Sequence, residues 1–139
     1  MTIYQISVFI ENKPGRLVEI IGTLSNNGID IRALSVADTT DFGILRIIVN
    51  DPEKAINVLK AADVTVSKTQ VIAVLLDDTP GALTKVLEIL NDASISVEYA
   101  YAFITHSKNH ACVVLRVEDN DKAIEVLSAK GVSFVEKID

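Results

Sequence analysis

Apolar residues along this chain change their spacing repeatedly, and the changes mark out its elements. From Ile3 to Ile10 they alternate, with Tyr4, Ile6, Val8 and Ile10 on one face of a predicted strand and Ile3 and Phe9 on the other beside Gln5 and Ser7. Past Glu11-Asn12-Lys13-Pro14-Gly15 the period lengthens. Leu17, Ile20, Ile21 and Leu24 fall at i, i+3, i+4 and i+7, one stripe of an amphipathic helix that Asn26-Asn27-Gly28 ends. Alternation returns over Ile29–Val36, with Ile29, Ile31 and Ala33 on one face. A polar turn at Asp38–Asp41 leads to a return strand, Gly43–Val49. Asp51 caps a second helix with Pro52 in its first turn, and Ala55, Val58, Leu59 and Ala62 give its stripe. Val64–Lys68 is a closing strand.

The same order then begins again. Val71–Leu76 is a strand, Asp77-Asp78-Thr79-Pro80-Gly81 a turn, and Leu83, Val86, Leu87 and Leu90 a helical stripe. Ile95–Ile104 and Ala111–Val117 form a hairpin around Thr105–His110. Asp119 opens a helix carrying Ala123, Val126 and Leu127, and Val132–Ile138 closes the unit. Pro14 and Pro80 are 66 residues apart, an offset kept by Leu17/Leu83, Leu24/Leu90, Ile29/Ile95 and Ile31/Val97. Beyond the hairpin it becomes 68, as Lys54-Ala55-Ile56 matches Lys122-Ala123-Ile124. A two-residue insertion is tolerated in a surface turn.

Each half therefore reads β-α-β-β-α-β. That order folds as a ferredoxin-like α+β unit, a four-stranded antiparallel sheet with both helices on one face. Two domains are expected, 1–69 and 70–139, meeting near Ser67–Gln70 with no flexible linker. Halves of this size are marginal alone and sheet edges invite pairing, so the halves are expected to associate and two chains to dimerise.

The two Pro-Gly turns carry the chemistry. Gly15 and Gly81 stand where a strand must bend sharply into a helix, which calls for backbone angles glycine tolerates and leaves room for something to approach the main chain. The amides of the following helix point toward that gap and favour an anionic group such as a carboxylate.

Charge narrows the partners. Residues 1–69 carry 7 Lys/Arg against 8 Asp/Glu, residues 70–139 carry 6 against 11, and the acidic second half repels phosphate backbones. Nucleic acid is not an expected partner. Tyr99, Tyr101 and Phe103 alternate along one strand, but without a basic motif they read as packing residues rather than a base-stacking surface. No apolar run approaches the roughly 20 residues that span a bilayer, and no signal peptide opens the sequence, so a cytoplasmic protein without membrane contact is expected. The single cysteine, Cys112, lies in Ala111-Cys112-Val113-Val114-Leu115 and reads as a buried core thiol. His106 and His110 share a polar turn with too few neighbouring ligands for a metal site, and Glu118-Asp119-Asn120-Asp121 reads as a helix start, since it lacks the Gly and distant Glu of a calcium loop. Neither a metal nor a cofactor is expected. Catalysis has no support: no nucleophile–base set and no phosphate-binding loop is placed by the pattern.

Phe9-Ile10-Glu11-Asn12-Lys13-Pro14-Gly15-Arg16-Leu17, followed by Leu24 and Asn27-Gly28-Ile29-Asp30-Ile31, resembles an ACT domain. That family reads strand, Asn/Asp-x-Pro-Gly-x-Leu, helix, Gly-Ile-Asn/Asp-Ile. Leu75 to Leu83 with Ala93-Ser94-Ile95-Ser96-Val97 is similar to a second copy, in which Ser94 replaces Gly28 and Ser96 replaces Asp30. The resemblance covers essentially the whole chain. It implies a non-catalytic regulatory protein that binds an amino acid or related small metabolite at interfaces between paired domains. Carried over, the ligand-binding residues are Asn12, Gly15, Arg16 and Leu17 from the loop, with Asp30 and Ile31 from the second strand of a neighbour. In the second copy they are Asp78, Gly81, Ala82 and Leu83, with Ser96 and Val97. The amides of residues 15–17 would receive the ligand carboxylate. The Asn12 carbonyl, or the Asp78 carboxylate, would accept from its ammonium, with Asp30 as a compensating charge. The resemblance also implies a separate metabolic enzyme as regulated partner, the alternative being a dimerisation scaffold or enzyme subunit that binds no ligand.

Overall fold

The computed structural model describes residues 1–38, 41–103 and 108–136; the predicted turn residues 39–40 and 104–107 (His106 among them) and the predicted strand end at 137–138 lie outside it. The chain divides into two compact units between Thr69 and Gln70: Tyr4–Thr69, and Met1–Ile3 with residues from Gln70 onward.

In the first unit, β1 (Thr2–Glu11) leads to α1 (Arg16–Asn26), β2 (Ile31–Asp38), β3 (Phe42–Val49), α2 (Pro52–Ala61) and the start of β4 (Val66–Asp77). Strands β2 and β1 flank β3, both antiparallel to it. The Phe9 amide donates to the Thr65 carbonyl at 3.0 Å, which lays the fourth segment beside β1. The second unit repeats this with β4, α3 (Ala82–Asp92), β5 (Val97–Phe103), β6 (His110–Val117), α4 (Asn120–Ala129) and β7 (Ser133–Phe134). Its strands lie in the order β5-β6-β4-β7, all antiparallel. Leu75 faces Ser133 as Phe9 faces Thr65, so the offsets of 66 and 68 hold in three dimensions. Both are ferredoxin-like.

The cores are duplicates. Ile6, Val8, Leu45 and Ile47 from the strands meet Ile20, Leu24, Ala55 and Leu59 from the helices. Their counterparts are Ile72, Val74, Val113 and Leu115 with Val86, Leu90, Ala123 and Leu127. Burying one such aliphatic side chain contributes about 1.5–3 kcal/mol. Cys112 is 2% exposed, in line with its apolar neighbours.

All four helices end alike. In α1 the Ile29 amide donates to the Leu24 carbonyl and the Gly28 amide to that of Ser25, a double bond pattern that needs a left-handed residue between them. Gly28 supplies it with φ +73°, and Gly131 does so after α4 with φ +80°. After α2 and α3 the same place is taken by Asp63 and Ser94, both at φ +58°, where a Cβ is strained. In the second unit the second helix also supports the end of the first: Lys122 Nζ donates to the Ala93 carbonyl at 3.0 Å. Asp51 and Asp119 cap their helices through the amides of Lys54 and Lys122.

Three sequence expectations, on β4, Ile31/Ala33 and Tyr4, differ from the structure for local reasons. The strands expected at 64–68 and 71–76 are one strand, β4, because no Gly or Pro breaks the run between them. A bulge at Arg32 sets Ile31 opposite Val49 and Ala33 opposite Ile48, so these two do not share a face; Arg32 Nη1 turns back to Asp30 Oδ2 at 2.9 Å. A matching bulge at Glu98 places Tyr99, Tyr101 and Phe103 opposite Arg116, Val114 and Cys112, where all three are half-buried. Tyr4 lies outside the core, with Lys68 Nζ 4.5 Å above its ring; Glu53 holds that ammonium at 2.7 Å and pushes its pKa up.

Replacing Ser94 by Gly is expected to stabilise the protein by about 1 kcal/mol, the cost of a left-handed non-glycine residue. Gly28→Ala is expected to destabilise by a similar amount. Urea unfolding midpoints read both, and a Ser94→Gly variant that is less stable than the parent would contradict the account.

Candidate functional site

The two Pro-Gly turns fold the same way. Gly15 has φ +84° and Gly81 φ +88°, each immediately before its helix and with no side-chain cap. A Cβ at either would meet nothing within 4 Å, so backbone conformation and not crowding demands glycine. The turns are fastened from both sides. Asn12 N–H donates to the Asp41 carbonyl at 3.1 Å, and Asp78 N–H to that of Asn109 at 2.8 Å. Arg16 N–H donates to the Lys13 carbonyl and Ala82 N–H to the Thr79 carbonyl, both at 3.3 Å.

Of the amides expected to meet a carboxylate, Arg16 and Ala82 are thus already engaged. Those of Gly15 and Leu17, and of Gly81 and Leu83, have no acceptor among the described residues. Leu17 and Leu83 begin the helical stripes yet stay 42% and 39% exposed, beside the turn and away from Ile20 and Val86 in the cores.

The structure does not bring every candidate residue of a unit together. Asn12, Gly15, Arg16 and Leu17 cluster at the start of α1. Asp30 and Ile31 follow its far end, eleven residues and about 16 Å of helix away. Asp30 is tied in place there, its amide donating to Asn50 Oδ1 at 2.9 Å and its carboxylate accepting from Arg32. In the second unit Asp78, Gly81, Ala82 and Leu83 are likewise separated by α3 from Ser96 and Val97. Two grooves mark these two ends. One of about 900 Å³ is bordered by Ser96, Ser94, Glu98 and the start of α4. The other, about 420 Å³, is bordered by Thr79, Pro80 and Ala82 of the turn. Lys85, His110 and Lys130 also line the second groove; the sequence reading passed over the two lysines and placed His110, which begins β6, in a polar turn. They carry no motif; only comparison with Glu19, Phe42 and Ala62 at the matching positions singles them out.

Charge at the first turn is local. Lys13 Nζ lies 3.1 Å from Glu11 Oε2 and holds that carboxyl below the usual glutamate range, with a smaller pull from Arg16. Arg16 itself lies 3.4 Å from Glu19. No group of three or more His, Cys, Asp or Glu side chains is placed to hold a metal ion among the described residues. No helix described is long and apolar enough to cross a membrane. In Lys13→Ala the Glu11 carboxyl is expected to titrate higher, toward the ordinary glutamate value. Carboxyl chemical shifts followed against pH measure this, and an unmoved midpoint would exclude Lys13 as the cause.

The chain matches the ACT domain pair family over residues 1–139. A crystal structure of a protein from Bacteroides thetaiotaomicron is 43% identical over 97% of this chain and 92% of its own, with a TM-score of 0.91. Regulatory subunits of aspartate kinase from Thermus thermophilus and Thermus flavus share the fold at 15% identity, with TM-scores of 0.64 and 0.63. The former covers 91% of both chains, the latter 91% of this chain and 90% of its own. No curated protein matches the chain. With two copies of one turn, one core and one pair of helix caps, and a family match across its full length, the chain belongs to the ACT domain pair family.

Proposed function

We propose that this protein is a non-catalytic regulator that binds an amino acid or a related small metabolite, with residues 1–69 and 70–139 acting as its two ACT domains. The observation that carries the reading is the pair of positive-φ glycines, each leaving helix-start amides without an acceptor among the described residues, beside a half-exposed leucine. Such amides suit a ligand carboxylate. Asn12 or Asp78 accepts from the ammonium, and Asp30 or Ser96, with Ile31 or Val97, comes from a neighbouring domain, since α1 and α3 separate them within one unit. A homodimer supplies further neighbours. The likeness to regulatory subunits of aspartate kinase supports a role in amino-acid metabolism, exerted on a separate enzyme chain in the cytoplasm. Ligand bridging two domains favours one arrangement over another, and a partner responds to that arrangement.

A second reading is a dimerisation scaffold without ligand. It is favoured by Leu34 and Val36, which stand 55% and 47% exposed on edge strand β2. A thermal-shift panel of the amino acids separates the two. A ligand at a hundredfold excess over its dissociation constant is expected to stabilise by about 2.7 kcal/mol. Asn12→Ala is expected to weaken binding of that ligand in calorimetry. The absence of any shift across the panel leaves the scaffold.

A further inference from the structure

Asn27 is the one asparagine of the chain that a glycine follows. Such a pair carries its own chemistry. The backbone nitrogen of the glycine can attack the side-chain amide carbon of the asparagine and close a five-membered imide, because glycine has no Cβ to crowd the approach. The new bond joins the Gly28 nitrogen to Asn27 Cγ. The Cγ–Nδ2 bond breaks, and Nδ2 leaves as ammonia with the proton that the backbone nitrogen gives up. Water then opens the ring. Opening at Cγ gives aspartate. Opening at the main-chain carbonyl gives isoaspartate, in which the chain runs through the side-chain carboxyl.

Both residues are exposed, so water reaches them. The cap of α1 nevertheless holds each reacting group. Asn27 ends the helix with φ −106° and ψ 16°. The Gly28 amide donates to the Ser25 carbonyl at 3.1 Å, so the attacking nitrogen keeps its proton. Asn27 Nδ2 donates to the Thr23 carbonyl at 2.8 Å, which draws the side chain back along the helix. Behind them the Ile29 amide, on a residue 5% exposed, donates to the Leu24 carbonyl at 3.0 Å. These bonds must open before the ring can close, and helix ends open locally far more often than cores do. In the second unit the same two places are Ala93 and Ser94, which cannot react in this way. The strained φ of Ser94 thus accompanies an inert cap, and the relaxed φ of Gly28 a reactive one.

We propose that Asn27 is a deamidation site, that water is its only co-reactant, and that opening of the α1 cap sets its rate. The product does not restore the cap. A carboxylate accepts but cannot donate, so the bond to Thr23 is lost. Isoaspartate also lengthens the main chain by one carbon, which displaces the Gly28 and Ile29 amides from Ser25 and Leu24 and brings the chain to the start of β2 out of place. The first unit can therefore lose a helix cap by chemistry alone, and the second cannot at the matching position.

Peptide mapping of the full chain by mass spectrometry, after incubation folded and in urea, tests the proposal. In urea Asn27 is expected to react faster than every other asparagine, giving aspartate and isoaspartate. In the folded chain it is expected to react roughly tenfold more slowly or less. Ile29→Ala loosens the cap without touching the reacting pair and is expected to speed the folded-state reaction while leaving the rate in urea unchanged. Should Ile29→Ala not show the parental urea transition, Ile29→Val decides. The deamidated chain is expected to unfold at a lower urea concentration than the parent. Another asparagine reacting first in urea overturns the site. Equal rates in the folded and unfolded chain, or a rate unmoved in a folded Ile29 variant, overturn the gate. An unchanged unfolding midpoint after deamidation overturns the loss of the cap.

Discussion

A left-handed turn between the first strand and first helix of each unit sets the rest of the structure. Gly15 and Gly81 bend the chain at φ +84° and +88° before α1 and α3. That bend directs each helix so that Ile20 and Leu24, or Val86 and Leu90, enter the core. The same rotation leaves Leu17 and Leu83 outside and turns the helix-start amides away from the protein. Packing and exposure of the turn are thus two results of one backbone choice. A non-glycine residue there would be strained although it has room.

On this common frame the two units have diverged where packing does not constrain them. Core positions match in kind from one unit to the other. Rim positions do not: Arg16 becomes Ala82, Glu19 becomes Lys85, Phe42 becomes His110 and Ala62 becomes Lys130. Core substitutions disturb a close-packed interior and are therefore resisted, whereas exposed side chains change at little cost to stability. A duplicated fold can in this way carry two unlike surfaces.

Much of the fold was legible because its elements use strong local rules. The helical stripes, the Asp51 and Asp119 caps and the two Pro-Gly turns are written in spacing and residue type. What escaped was set by register. β4 runs unbroken through the polar Ser67–Gln70 segment, whose composition alone suggested a boundary. The bulges at Arg32 and Glu98 shift a strand by one residue with no Gly or Pro to announce them. Of the ligand residues suggested by resemblance, the turn sets share a place in each unit. Asp30 and Ser96 lie at the other helix end, a separation that follows from helix length. The groove beside α3 was invisible because its lining comes from β4, α3, β6 and the loop before β7, a set that no motif encodes.

Cys112 is enclosed in β6 and is the sole thiol of the chain, with none in Tyr4–Thr69. An enclosed thiol cannot be alkylated until the strand around it opens. The rate of alkylation therefore clocks the opening of one ACT repeat while the other stays silent, a built-in reporter that requires no engineered label.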